Sequence, residues 1–77
     1  MKVRVLFFGV LSEVTGTGSR VYEEVKSIEY LKMRVADEYP ELVHYNFQIS
    51  LNSELISSDS ELKEGDEIAF LPPFSGG

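Results

Sequence analysis

Apolar and polar residues alternate with a period of two near both ends of this chain and recur at three and four in its middle. Lys2-Val3-Arg4-Val5-Leu6-Phe7-Phe8 is β-branched and aromatic, the composition of a β-strand. Alternation sends Val3, Val5 and Phe7 to one face and Lys2, Arg4, Leu6 and Phe8 to the other. The first set reads as core. The second ends in two large apolar side chains, more than a solvent face needs. Gly9 breaks the strand, one helical turn over Val10–Val14 follows, and Thr15-Gly16-Thr17-Gly18 forms a loop. The spacing of those glycines fits no phosphate cradle. Ser19 to Val25 alternates loosely as a second strand, with Val21 and Val25 inward, and completes a hairpin with the first.

Ser27 then supplies a helix N-cap, and Glu29 places an acid in the first turn. Ile28, Leu31, Val35 and Tyr39 follow at helical spacing, with Met33 and Ala36 flanking the stripe. The methionine and aromatic residues of this segment are core candidates rather than a cofactor box. Pro40 ends the helix after about three turns. Glu41 to Asn46 is a connection. Phe47-Gln48-Ile49-Ser50-Leu51 is a third strand with Phe47, Ile49 and Leu51 inward. Asn52-Ser53-Glu54 is a turn, and Leu55-Ile56 begins a short return strand. A polar loop over Ser57 to Glu61 and a Gly65-Asp66 turn lead into Glu67-Ile68-Ala69-Phe70-Leu71, the last strand.

This order predicts an α+β fold of the β-grasp, ubiquitin-like kind. A mixed sheet of four to five strands would carry one main helix across one face. Residues 1–71 would form the domain and residues 72–77 a flexible tail. Ile68 and Phe70 share the core face, so Ala69 and Leu71 face away from the helix. If the first and last strands lie side by side, Leu6, Phe8, Ala69 and Leu71 form one apolar patch, with Leu55 beside them. Such a patch marks a surface for a partner.

The tail is the chemically distinctive stretch. Pro72-Pro73 cannot continue a paired strand, because proline lacks the N–H. Phe74 and Ser75 follow, and then Gly76-Gly77, whose bare backbone enters slots too narrow for other residues. The group presented at the tip is the α-carboxylate of Gly77.

Composition narrows the chemistry further. Thirteen acidic against seven basic residues give a net charge of −6, which argues against nucleic acid as partner. The apolar runs are too short for a membrane span, so a soluble, cytoplasmic protein is expected. There is no cysteine, and His44 is the sole histidine, which leaves no thiolate nucleophile and no evident metal set.

The chain resembles the molybdopterin synthase small-subunit (MoaD) family of ubiquitin-like sulfur carriers. Val5-Leu6-Phe7-Phe8, Glu13, Gly16 and Asn52 carry part of the likeness. Its most specific part is Gly65-Asp66-Glu67-Ile68-Ala69-Phe70-Leu71-Pro72-Pro73-Phe74-Ser75-Gly76-Gly77. The resemblance implies that an ATP-dependent, E1-like enzyme adenylates Gly77, and that a thiocarboxylate replaces the adenylate. That sulfur would be delivered to a pterin precursor inside the large synthase subunit, in a heterotetramer with it. Gly76 would be the neck of the tail, and Phe74 and Ser75 would fill the channel mouth. Leu6, Phe8, Leu55, Ala69, Leu71, Pro72 and Pro73 would face the partner. No cofactor is bound by the carrier itself, and ATP belongs to the activating enzyme. Ser12 stands where family members commonly carry arginine, so one polar contact to that enzyme is missing or moved. The same tail would also suit a carrier for the thiazole of thiamine or another sulfur-containing product, or a modifier attached to protein lysines.

Overall fold

A computed structural model describes residues 1–73. Its elements run β1 (Val3–Phe7), α1 (Val10–Thr15), β2 (Ser19–Tyr22), α2 (Ile28–Glu38), a 3-10 helix (Pro40–His44), β3 (Gln48–Leu51), β4 (Glu54–Ile56) and β5 (Glu67–Leu71). The five strands form one sheet in the order β2-β1-β5-β3-β4. β1 and β5 are parallel neighbours, and the other pairs are antiparallel. No helix among the described residues is long and apolar enough to cross a membrane.

The alternation of β1 and β5 holds residue by residue. Val3, Val5, Phe7, Ile68 and Phe70 are buried against Ile28, Leu31 and Val35 of α2. Ser27 caps α2 by accepting a hydrogen bond from the Tyr30 backbone N–H at 3.2 Å. Pro40 ends that helix and opens the 3-10 turn, which tucks Leu42 into the core. Leu11 of α1 and Leu62 of the loop before β5 are buried too.

Two expectations are corrected. Val21 is 51% exposed, and Tyr22 is the buried residue of β2. The pairing of Val3 with Tyr22 and of Arg4 with Val21 sets this phase. Glu24, at φ 64, then turns the backbone so that Val25 returns to the core. Within α2, Met33 is 67% exposed and Tyr30 is also exposed. Met33 lies two positions from Leu31, on the far side of a 3.6-residue helix.

Polar bolts fix the ends of the sheet to its neighbours. The Tyr22 hydroxyl donates to Glu38 Oε1 at 2.5 Å, and Arg20 pairs with Glu38 at 2.6 Å and donates to the Tyr39 hydroxyl. Burial, reinforced by the Glu38 carboxylate, pushes the Tyr22 phenol far above its ordinary range.

At the other end, the Asp66 carboxylate accepts from Asn52 Nδ2 at 3.0 Å and from the Lys63 backbone N–H at 2.7 Å. The Asn52 side chain and then the Lys63 amide hold its pKa below the ordinary 3.8. A depressed carboxylate pKa contributes stability above its unfolded value and loses it as pH falls through the folded one. Asp66→Asn is therefore expected to melt below the parent at pH 7, with the gap closing as pH falls below about 4. Melting curves between neutral and acid pH check this. A gap that stays constant would mean that Asp66 acts through shape alone.

Candidate functional site

The face of the sheet opposite α2 follows from register. Leu6 pairs with Ala69 across the parallel β1–β5 ladder, and Ala69 pairs in turn with Ser50 of β3. Ser50 pairs with Leu55 of β4. A single row across the sheet therefore reads Leu6, Ala69, Ser50, Leu55. Phe8 and Leu71 lie one step further along their strands. Leu6, Phe8, Leu55, Ala69 and Leu71 line one shallow depression of about 350 Å³, with Ser50, Ser53 and Glu67 on its polar side. Phe8 is 45% and Leu55 58% exposed, whereas Ala69 is only 8% exposed and forms the floor. The expectation of an equally exposed Ala69 is corrected: its methyl group is too short to rise above the larger side chains around it.

β5 ends at Leu71, at the rim of this depression. Pro72 is half-buried and Pro73 exposed. The exit of the chain is set by contact with the β1–α1 junction, where the Phe8 backbone N–H donates to the Phe70 carbonyl at 3.2 Å. Gly9 holds φ +58, and a β-carbon placed there would lie 3.0 Å from Pro72 Cγ, tighter than an ordinary carbon–carbon contact. The bare backbone of Gly9 thus seats the root of the tail. Alternation could not reveal this contact, because Gly9 and Pro72 are far apart in sequence. Ser12 turns its hydroxyl back to donate to the Gly9 carbonyl at 2.8 Å, so it supports α1. Phe74, Ser75, Gly76 and Gly77, expected to carry the chemistry and the channel contacts, lie outside the described residues.

The arrangement supplies a greasy platform and a tail root at its edge. Among the described residues no cluster of three His, Asp or Glu side chains could hold a metal ion. His44 is exposed at the end of the 3-10 helix.

Comparison with known proteins agrees in fold and family. The ThiS family matches residues 5–77. A molybdopterin synthase sulfur carrier subunit of Chlamydomonas reinhardtii is 35% identical over 83 aligned residues, covering all of both chains. Among solved structures, the protein-protein complex of subunits 1 and 2 of molybdopterin-converting factor from Helicobacter pylori 26695 contains a chain that is 30% identical. That match has a TM-score of 0.76 over the full length of both chains. Small archaeal modifier protein 1 from Methanosarcina acetivorans is 27% identical with a TM-score of 0.86, covering 99% of this chain and 96% of that one. The chain belongs to the ThiS family of ubiquitin-like sulfur carriers, and it is related over its whole length to molybdopterin synthase sulfur carrier subunits.

Proposed function

We propose that this chain is the sulfur carrier of a molybdopterin synthase. It docks through the Leu6, Phe8, Leu55, Ala69 and Leu71 face and delivers sulfur from a thiocarboxylate at Gly77. The observation that carries this reading is the position of the apolar face at the root of a Pro72-Pro73-Phe74-Ser75-Gly76-Gly77 tail. The likeness to carrier subunits and to one chain of a two-subunit complex supports it.

The chemistry needs no side chain of the carrier. A Gly77 carboxylate oxygen attacks the α-phosphorus of ATP on an E1-like enzyme and pyrophosphate leaves. The resulting acyl adenylate is electrophilic where the carboxylate was not. Hydrosulfide then attacks the acyl carbon and AMP leaves, giving a thiocarboxylate. Inside the large subunit that sulfur attacks an oxygen-bearing carbon of the cyclic pterin precursor. The C–S bond forms as the carbon–oxygen bond breaks and the oxygen leaves with its electron pair. Hydrolysis of the acyl–sulfur bond then leaves the sulfur on the pterin and returns the carboxylate. The carrier contributes reach, a slender tip and the docking face, and the large subunit contributes the acids and bases. A heterotetramer with the large subunit completes this reading.

The test is reconstitution. The carrier is incubated with the activating enzyme, ATP and a sulfide source, then with the large subunit and pterin precursor. Mass spectrometry follows the exchange of one carboxyl oxygen for sulfur on the carrier, and product formation follows its loss. The likeness to an archaeal modifier favours a second reading, in which the same adenylate ends on a lysine amine. The two separate on denaturation: a large subunit is released, whereas an isopeptide-linked target stays attached. Conjugates alone, with no sulfur on Gly77, would overturn the synthase assignment.

A further inference from the structure

The two edges of the sheet are protected very differently. Just before β2, the Gly18 carbonyl accepts from the backbone N–H of Phe7 on β1. Alternation from that bond leaves Ser19 and Val21 with their backbone groups directed outward. Thr17 closes one end of this edge. Its hydroxyl accepts from the Ser19 N–H at 3.3 Å and donates to the Ser19 carbonyl at 2.8 Å. Arg34 closes the other end, donating to the Glu23 carbonyl at 3.0 Å just before the turn at Glu24. This is an edge blunted against strand pairing.

β4 carries no such cover. The two-residue turn Asn52-Ser53, with φ 50 and 74, is of the kind that makes Leu51 and Glu54 a hydrogen-bonded pair. The next pair, Ser50 with Leu55, is then non-bonded across the β3–β4 ladder, and the Leu55 N–H and C=O point away from the sheet. Ser57, two residues on, continues that phase. No hydrogen bond among the described residues engages the backbone of either. An open cleft of about 510 Å³ runs along this edge between β4 and α2, with Ile28, Phe47 and Ile56 forming its apolar side.

We infer that β4 accepts an added strand, an extended segment of the large subunit whose apolar side chains fall at alternate positions and which carries positive charge. Two observations identify this occupant. Leu55 belongs at once to the outer depression and to the edge cleft, so a protein seated on the outer face meets the unpaired backbone at its own margin. Glu29 lines this cleft and Glu54 lies on β4 itself. Asp59 sits beside Glu29, with one carboxylate oxygen accepting from the Glu29 and Ser60 backbone N–H groups. The one ammonium lining the cleft, Lys32, is already 3.5 Å from Glu29. A basic segment is therefore complementary. In the added strand the residue opposite Leu55 exchanges backbone hydrogen bonds with it and lies over the outer patch. Its neighbours on either side drop into the cleft above Ile56.

The inference rests on the synthase reading, and one experiment separates the two. Amide hydrogen exchange is recorded on the full chain, free and saturated with the large synthase subunit. Expected is slowing of about tenfold or more at Leu55 and Ser57 on binding, with the Val21 amide unchanged. Ser57→Pro removes one outward N–H without altering the outer patch, and should weaken the complex by about three- to tenfold while melting like the parent. A complex that forms while Leu55 and Ser57 exchange as in the free chain would overturn the added strand and leave the carrier assignment intact. If no complex forms with the large subunit, both readings fall.

Discussion

Val35→Asp is expected to unfold the domain, whereas Leu71→Asp is expected to leave it folded and unable to dock. Val35 is fully buried among the helix and sheet side chains of the core. A carboxylate there loses its water, the buried core cluster holds no cation, and its one hydroxyl, that of Tyr22, is already donated to Glu38. The lost valine burial costs about 1.5–3 kcal/mol, and desolvating an unpaired charge adds several more. A chain of this size holds about 4–12 kcal/mol in total, so the substitution consumes most or all of it. Leu71 lies at the rim of the outer depression, partly exposed. An aspartate there reaches water, and the fold loses about 1 kcal/mol or less. Within an interface the same charge would sit in an apolar centre, where such changes cost about 2 kcal/mol or more, or about thirtyfold in affinity. Thermal melts of both variants, followed by titration with the large subunit, check the pair. Equal unfolding by the two would show that Leu71 belongs to the core and that the outer face is not a docking surface.

That contrast depends on faces that the alternation of β1 and β5 makes legible in the sequence. Val3-Arg4-Val5-Leu6-Phe7 and Ile68-Ala69-Phe70-Leu71 each separate cleanly into two sides, and the parallel pairing of those strands then makes one apolar field of their outer sides. Where the pattern misled, a local backbone feature had broken its phase. Val21 and Val25 look equivalent two by two, but the left-handed Glu24 lies between them, and Tyr22 takes the inward place. Leu11, Leu42 and Leu62 were not visible as core because each is the single buried residue of a short helix, a 3-10 turn or a loop. One residue has no period. The contacts that seat the tail root, Gly9 against Pro72, and that leave β4 open are tertiary facts. The tail motif was legible for the opposite reason: its information is chemical identity in a fixed order, which needs no partner residue to be read.

That motif makes the sharpest demand on the chemistry. Removing Gly77 is expected to abolish sulfur transfer while leaving docking within about twofold, since the outer face is untouched and remote contacts add independently. The shortened chain still ends in a glycine carboxylate, so the functional group survives and only its reach changes. One residue spans about 3.3–3.6 Å of extended chain, and a displacement of about 1 Å at a reacting centre already costs about a hundredfold in rate. Adenylation and delivery should both fail for this reason, and a Gly77→Ala chain, which restores the length, should recover part of the activity to the extent that each narrow site admits a methyl group. Single-turnover product formation, read beside the affinity for the large subunit, separates reach from docking. If the shortened chain still accepted and delivered sulfur near the parent rate, the reacting carboxylate would not be that of Gly77, and the carrier mechanism would have to be given up. Loss of docking in step with transfer would instead move the main binding energy from the β1–β5 face to the tail.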